Sequence, residues 1–300
     1  MMRVATSQFR NQAITNISEQ QSTIARLQQQ ASSGQKVNRP SDDPLAMAEA
    51  ERLRSEMARN QIERRMMSYA KSQMAQSESL ISSGIDILQR ARDLMISARN
   101  GTMSDQDRFT IANQLRQYRI ELWDLAGQRS QDGSYVFGGK GSEDEPFWPE
   151  DAPRFIGEPG IRQTGLSIPY PMTVDGSRIM QGFGADGNAS IFEELDAVVQ
   201  GLSRGGPYAD QALQKGMYSV DMTLGLMSEQ RSLLGEQMHV VDARERLLDS
   251  GDLNAKQRRS DLMDTDYAEV LSGIQSRNTA LQAAMQTYSQ ISQLSMFNYL

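Results

Sequence analysis

Gly182, Gly184 and Gly187 spell G-x-G-x-x-G, the spacing that lets a backbone approach a pyrophosphate. Dinucleotide chemistry needs a helix that opens on those glycines and a second buried strand beyond it. Here Ser190 with Glu193 forms a capping box that starts the helix later, and the next apolar series has a helical period. The glycines therefore read as a tight surface turn. Phe137-Gly138-Gly139-Lys140 has the outline of a phosphate loop, but Ser134 stands where the first glycine belongs and Gly141 where Ser or Thr is required. His239 is the only histidine, with no second His or Cys to share a metal and no triad around it, so it reads as a structural or surface residue. Asp264 and Asp266 lack the other oxygens of a calcium loop and instead suit the first turn of a final helix. The run KQRR at 256–259 is short and flanked by acids, which marks a solvated face. The chain has no cysteine, so disulfides, thiolate catalysis and Cys-ligated zinc are excluded. No catalytic, cofactor-binding or metal residue is assigned, and the chain is not read as an enzyme.

The totals narrow the class further. A net charge of −7 argues against general nucleic-acid binding. No stretch approaches 18 consecutive apolar residues, so no membrane insertion is expected. The opening MMRVATSQFRNQ lacks the apolar core of a secretory signal. Aromatics are only 6% while Met numbers 18, a balance that suits long slender helix contacts better than a thick globular core.

What must be positioned is a pair of chain ends. Ala13, Ile17, Ile24, Leu27 and Ala31 fall on a heptad seam in which Gln20 is the polar member. Tyr267, Val270, Ile274, Leu281, Ala284, Tyr288 and Ile291 do the same at the other end, with Arg277 as the exception. Seven-residue apolar repeats make a helix seek another helix. From Asn278 to Leu300 no residue is charged, and between Asn11 and Ala25 only Glu19 is. An uncharged polar outer face suits packing against neighbours or lining a conduit. A partly disordered polar tail is the rival reading.

Between the ends the pattern predicts a mainly α protein of long antiparallel helices with a small β-rich insertion. The first helix ends at Ser32-Ser33-Gly34, and Asp43-Pro44 opens a second that runs to about Asn100. Met67, Met74, Ile81, Leu88 and Met95 recur every seven residues there, each followed by a small residue three places on. Asn100-Gly101 breaks it, and Ser104 with Asp107 opens a third helix to about Gln131. From Asp132 to Asn188 prolines and glycines gather, with YVF, RFI, LSIPYPM and RIM as strand candidates. Leu213, Val220, Met227, Leu234, Val241 and Leu248 then form an unbroken seven-residue series, and SGDLN at 250–254 is expected to turn the chain into the last helix. The domains expected are 1–40 with 262–300 as a terminal assembly domain, 41–133 with 190–261 as a helical bundle, and 134–189 as a β-rich surface insertion.

QASSGQKVNRPSDDPLAMAEAERLRSE and DLMDTDYAEV resemble the N- and C-terminal signatures of the bacterial flagellin family. The ending QISQLSMFNYL departs from filament flagellins, and with DGSYVFGGKGSEDEPF it is similar to the branch of the family found at the hook–filament junction. The resemblance implies a structural, self-assembling subunit of the extracellular flagellum, exported through the flagellar type III apparatus without a cleaved signal. It implies as partners the chain itself, hook-associated protein 1, flagellin, and an export chaperone before assembly. The assembly residues expected are Ile17, Ile24, Leu27, Ile274, Leu281, Tyr288 and Ile291, with Phe297 and Leu300 for a chaperone or export contact. The competing readings are a flagellin of the filament shaft, a cytoplasmic coiled-coil adaptor, and an enzyme hidden in the insertion.

Overall fold

The computed structural model describes residues 2–100, 103–141, 143–165, 168–183, 187 and 189–297. Its elements in order are α1 (Met2–Ser33), α2 (Pro44–Ala98), α3 (Asp105–Ala126), β1 (Phe147–Trp148), β2 (Arg154–Phe155), β3 (Gln163–Thr164), β4 (Tyr170–Pro171), α4 (Gly176–Met180), β5 (Gln181–Phe183), β6 (Ala189–Ser190), α5 (Ile191–Arg204), α6 (Gly206–Met263) and α7 (Tyr267–Phe297). The fold is mainly α, and the strands form three separate antiparallel ribbons, β1–β2, β3–β4 and β5–β6.

Local chemistry sets most helix ends. Gly34 closes α1 at φ +70°, a left-handed conformation that side chains resist. The Asp43 carboxylate accepts from the N–H groups of Leu45 at 3.1 Å and Ala46 at 2.9 Å, with Pro44 in the first turn where no N–H is needed. Ser190 and Glu193 form the full reciprocal box. Ser104 with Asp107 forms half of one: the Ser104 hydroxyl accepts from the Asp107 N–H and donates to the Asp107 carboxylate.

Several sequence expectations need correction. SGDLN does not turn: it lies inside α6, which runs on to Met263. An internal Gly costs a helix about 1 kcal/mol, and the buried Leu248 and Ala255 on either side anchor the segment against that cost. The third helix stops at Ala126, because the Gly127 N–H caps it on the Trp123 carbonyl. RIM is not a strand but the end of α4, whose start Asp175 caps by accepting from the Ser177 N–H. YVF forms only isolated bridges, Tyr135 to Arg129 and the adjoining Gly138 to Asp175. Of LSIPYPM, Tyr170 and Pro171 form β4, while Leu166 and Ser167 lie outside the described residues, as do Gly101 and Gly184.

The chain divides into two compact units, a terminal one (Met1–Asn60 with Asp249–Leu300) and a central one (Gln61–Leu248). In the central unit both seven-residue series are buried, and they share one core with the insertion's Phe137, Phe147, Tyr170, Val174 and Ile179. α2 and α6 run antiparallel there, as the ion pairs Glu63–Arg244, Glu78–Arg231 and Arg92–Asp221 show. The aromatic rings of Trp123, Phe192, Phe147 and Phe155 meet edge to face in turn at 5.2–5.5 Å, so the insertion is knit into the α3–α5 pair. Among the described residues, the buried hydrophobic side chains of its thin ribbons belong to the core shared with the helices.

Asp132 fastens the start of this region to α2. Its carboxylate accepts from the Tyr69 hydroxyl at 2.8 Å, from Arg162 at 2.9 Å and from the Ser134 N–H at 3.0 Å. Burial alone would raise its pKa, but the bonds from Ser134, Tyr69 and Arg162 outweigh it and hold the carboxyl well below the usual range. A carboxyl depressed in the folded state stabilises above its unfolded pKa of about 4, and that contribution fades as pH falls below it. Asp132→Asn is therefore expected to lower the melting temperature at pH 7, with the gap to wild type narrowing below about pH 4. Thermal melts from pH 7 to pH 2 check this, and a gap independent of pH would contradict it.

Candidate assembly interface

In the terminal unit α1 packs along α7. The α1 seam lies as its spacing dictates: Ile24 is buried at 7% exposure, and Ala13, Ile17, Gln20, Leu27 and Ala31 are half-buried. On α7, Val270 is buried, and Ile274, Leu281, Ala284 and Tyr288 are half-buried. A methyl group on Gly273 would stand 3.4 Å from the end of the Leu27 side chain, so Leu27 packs over α7 at this glycine. The side chains of Ile291 and Phe297 and all of Leu300 lie outside what is described. Tyr267 departs from the expected seam and is 52% exposed. Its hydroxyl lies 3.1 Å from where a Cβ on Gly34 would stand, so a side chain at Gly34 would be crowded as well as strained.

The two polar exceptions meet each other. The Arg277 guanidinium donates to the Gln20 side-chain carbonyl at 3.3 Å. A polar pair on an apolar seam favours one register, because sliding by a turn would set each group against hydrocarbon.

What the spacing did not reveal is how the helices are tied where they begin and end. The links after α1 and before α7 lie side by side: the Lys36 N–H donates to the Met263 carbonyl at 2.8 Å, and the Thr265 N–H to the Gly34 carbonyl at 2.9 Å. The Lys36 ammonium adds a bond to the Asp261 carbonyl at 2.7 Å. Asp266 then caps α7, accepting from the N–H groups of Ala268 and Glu269. Val37, Ala46, Ala50 and Met263 form a small separate core beneath these links. The sequence carried this tie only in the quoted terminal motifs, since irregular pairing has no period.

The charges divide unevenly. The terminal unit holds twelve basic and twelve acidic residues, and the central unit nineteen and twenty-six, so the whole net charge of −7 lies in the central unit. A neutral unit packs against copies of itself without net self-repulsion. Among the described residues no group of three or more His, Asp or Glu is placed to hold a metal ion, and no helix is long and apolar enough to cross a membrane. His239 is exposed on α6.

The bacterial flagellin N-terminal helical region matches residues 4–142, and the C-terminal helical region matches residues 217–300. Flagellar hook-associated protein 3 of Salmonella typhimurium is 27% identical over 315 residues, covering 99% of each chain. The protein of the same name from Escherichia coli is 28% identical, again over 99% of each. Among solved structures, flagellar hook-associated protein 3 of Legionella pneumophila is similar in fold, with a TM-score of 0.61 at 15% identity over 70% of this chain and 99% of that one.

Ile24→Asp sets a charge at the most buried position of the α1 seam. The expected result is that α1 and α7 lose amide hydrogen-exchange protection while α2 between 67 and 95 keeps it. Loss of protection throughout both units would contradict this separation.

Proposed function

The chain belongs to the bacterial flagellin family, and from that premise we propose that it is a structural subunit of the flagellum, polymerising with copies of itself where the hook meets the filament. The observation that carries this reading is the similarity to hook-associated protein 3 from two organisms over 99% of each chain. A structural role accords with that family.

The mechanism is burial completed by assembly. Within one chain Ile17, Leu27, Ile274, Leu281 and Tyr288 stay half-buried, because a single partner helix covers one side of each. Neighbouring subunits would cover the rest. Full burial of a large apolar side chain contributes about 1.5–3 kcal/mol, and the remaining fraction of each is summed over many contacts before ordering costs are met. The uncharged run after Arg277 suits this, since no ion has to be stripped of water as subunits stack.

In this reading residues 1–40 and 262–300 form the assembly domain, 41–133 with 190–261 the supporting bundle, and 134–189 the surface insertion. Hook-associated protein 1 lies on one side and flagellin on the other. Export proceeds through the flagellar type III route, with a chaperone holding the C-terminal end, Phe297 and Leu300 included, until assembly.

Gold-labelled antibody against residues 134–189, applied to intact flagella, tests the assignment. The expected pattern is a narrow band between hook and filament, lost in a strain carrying Leu281→Asp although that chain still folds in its central unit. Label along the shaft would make the protein a filament flagellin. No label with an accessible epitope would overturn the reading.

A further inference from the structure

The ribbon β1–β2 has one covered face and one open one. Phe147 pairs with Phe155 and their rings pack together against the helices, while the next pair, Trp148 with Arg154, stands on the other face, because strand side chains alternate. Phe147 is 2% exposed and Trp148 56%. The chain has only two tryptophans, and the other, Trp123, is half-buried against Phe192. Trp148 lies along an open groove that Arg116 and Ile120 of α3, the link Glu150–Asp151 and Asp196 of α5 complete. Its volume of about 550 Å³ falls within the range of small-molecule sites, about 300–1,000 Å³.

The groove is held in shape from behind. Arg119 is buried, and its guanidinium donates to the Asp196 carboxylate at 3.2 Å and to the Glu150 backbone carbonyl while lying over the Trp123 and Phe192 rings. That one side chain pins the link beside Trp148 to α3 and α5, and its charge is committed there. Arg116 is the exposed cation of the groove; one of its nitrogens donates to Asn113 at 2.8 Å, and a guanidinium has further N–H groups to offer. Glu150, Asp151 and Asp196 supply acceptors. Burial pushes the Asp196 carboxyl up from its usual range against the pull of Arg119, so this oxygen pair is poorly hydrated.

We infer that this groove binds a neutral pyranose unit of an oligosaccharide, with the sugar's C–H face on the Trp148 indole and its hydroxyls shared between Arg116 and the carboxylates of Glu150, Asp151 and Asp196. The lining selects this chemistry. A phosphate or other anion would meet three carboxylates against one uncommitted guanidinium. A purely apolar segment would strip water from those charges and return no hydrogen bonds. A hydroxyl both donates and accepts, so it satisfies carboxylates that only accept and a guanidinium that only donates. The electron-rich indole face attracts the slightly positive C–H bonds of a pyranose ring. All of these residues lie in the central unit, away from the terminal helices, so the site is independent of how subunits polymerise.

The two tryptophans make the test clean. The full chain, labelled with ¹⁵N only at tryptophan, shows two indole N–H resonances, and Trp148→Ala identifies which is which. Maltotriose, cellotriose and chitotriose are each added to about 10 mM, where even millimolar sites fill. At least one is expected to shift the Trp148 resonance saturably. Arg116→Ala and Asp151→Ala, both at exposed positions, are each expected to weaken that binding about five-fold with the melting temperature unchanged. No shift from any of the three sugars, or a shift of the Trp123 resonance alone, would overturn the inference. Inorganic phosphate shifting Trp148 at lower concentration than every sugar would make the groove an anion site and overturn it too. Dependence on Trp148 with no loss in either polar variant would reduce the groove to an apolar patch and contradict the sugar assignment. If a variant fails to fold, the wild-type titrations still decide. None of these outcomes bears on self-assembly, so the proposed function stands or falls separately.

Discussion

Two backbone hydrogen bonds between the links 34–36 and 263–265 are the constraint on which the terminal unit depends. They join residues separated by most of the sequence and so fix where α1 ends and α7 begins. From that tie the heptad seams run out together, and the Arg277–Gln20 contact selects their register. Neither helix has enough apolar surface to persist alone in water. Their partnership is narrow, and the half-buried state of Ile17, Leu27, Ile274, Leu281 and Tyr288 follows directly from it.

The central unit solves a different problem. Its core is a long seam of Met, Leu, Ile and Val alternating with Ala, Ser and Gly, and the small residues let the helices approach closely. At Gly84 a Cβ would meet the Met227 thioether at 3.3 Å, so the flexible Met side chain fills the space the glycine leaves. This explains why a chain with few aromatics still packs tightly. Most of its aromatic rings in edge-to-face contact sit where the insertion joins α3 and α5, and Arg119 lies over Trp123 and Phe192 there, paired with Asp196. The thin ribbons of the insertion thus borrow their core from the helices.

Period was the part of the fold most legible in the sequence. Every member of the series Met67 to Met95 and Leu213 to Leu248 is buried, and the caps at Asp43 and Ser190 lie where their residue types placed them. Punctuation was less reliable. Gly251 and Asn254 look like a turn but sit within α6, because the buried Leu248 and Ala255 hold the helix on both sides. RIM looks like a strand from its apolar content, yet the Asp175 cap makes it helical. Along the terminal seam, the burial of Ile24 and Val270 and the half-burial of Ile17, Leu27, Ile274, Leu281 and Tyr288 follow the spacing, while Tyr267 departs from it. The link pairing was invisible, because a contact between two irregular segments leaves no repeat in either.

The central claim is that the two ends of one chain pair with each other. Leu27→Cys with Gly273→Cys, introduced together into the cysteine-free chain, tests it most directly, since a side chain at 273 would touch residue 27. After treatment with a short bis-maleimide, isolated flagella run on a denaturing gel should show a cross-link within single chains, seen as a monomer of altered mobility. Cross-links found only between chains, or thiols left free at both positions, would contradict the account.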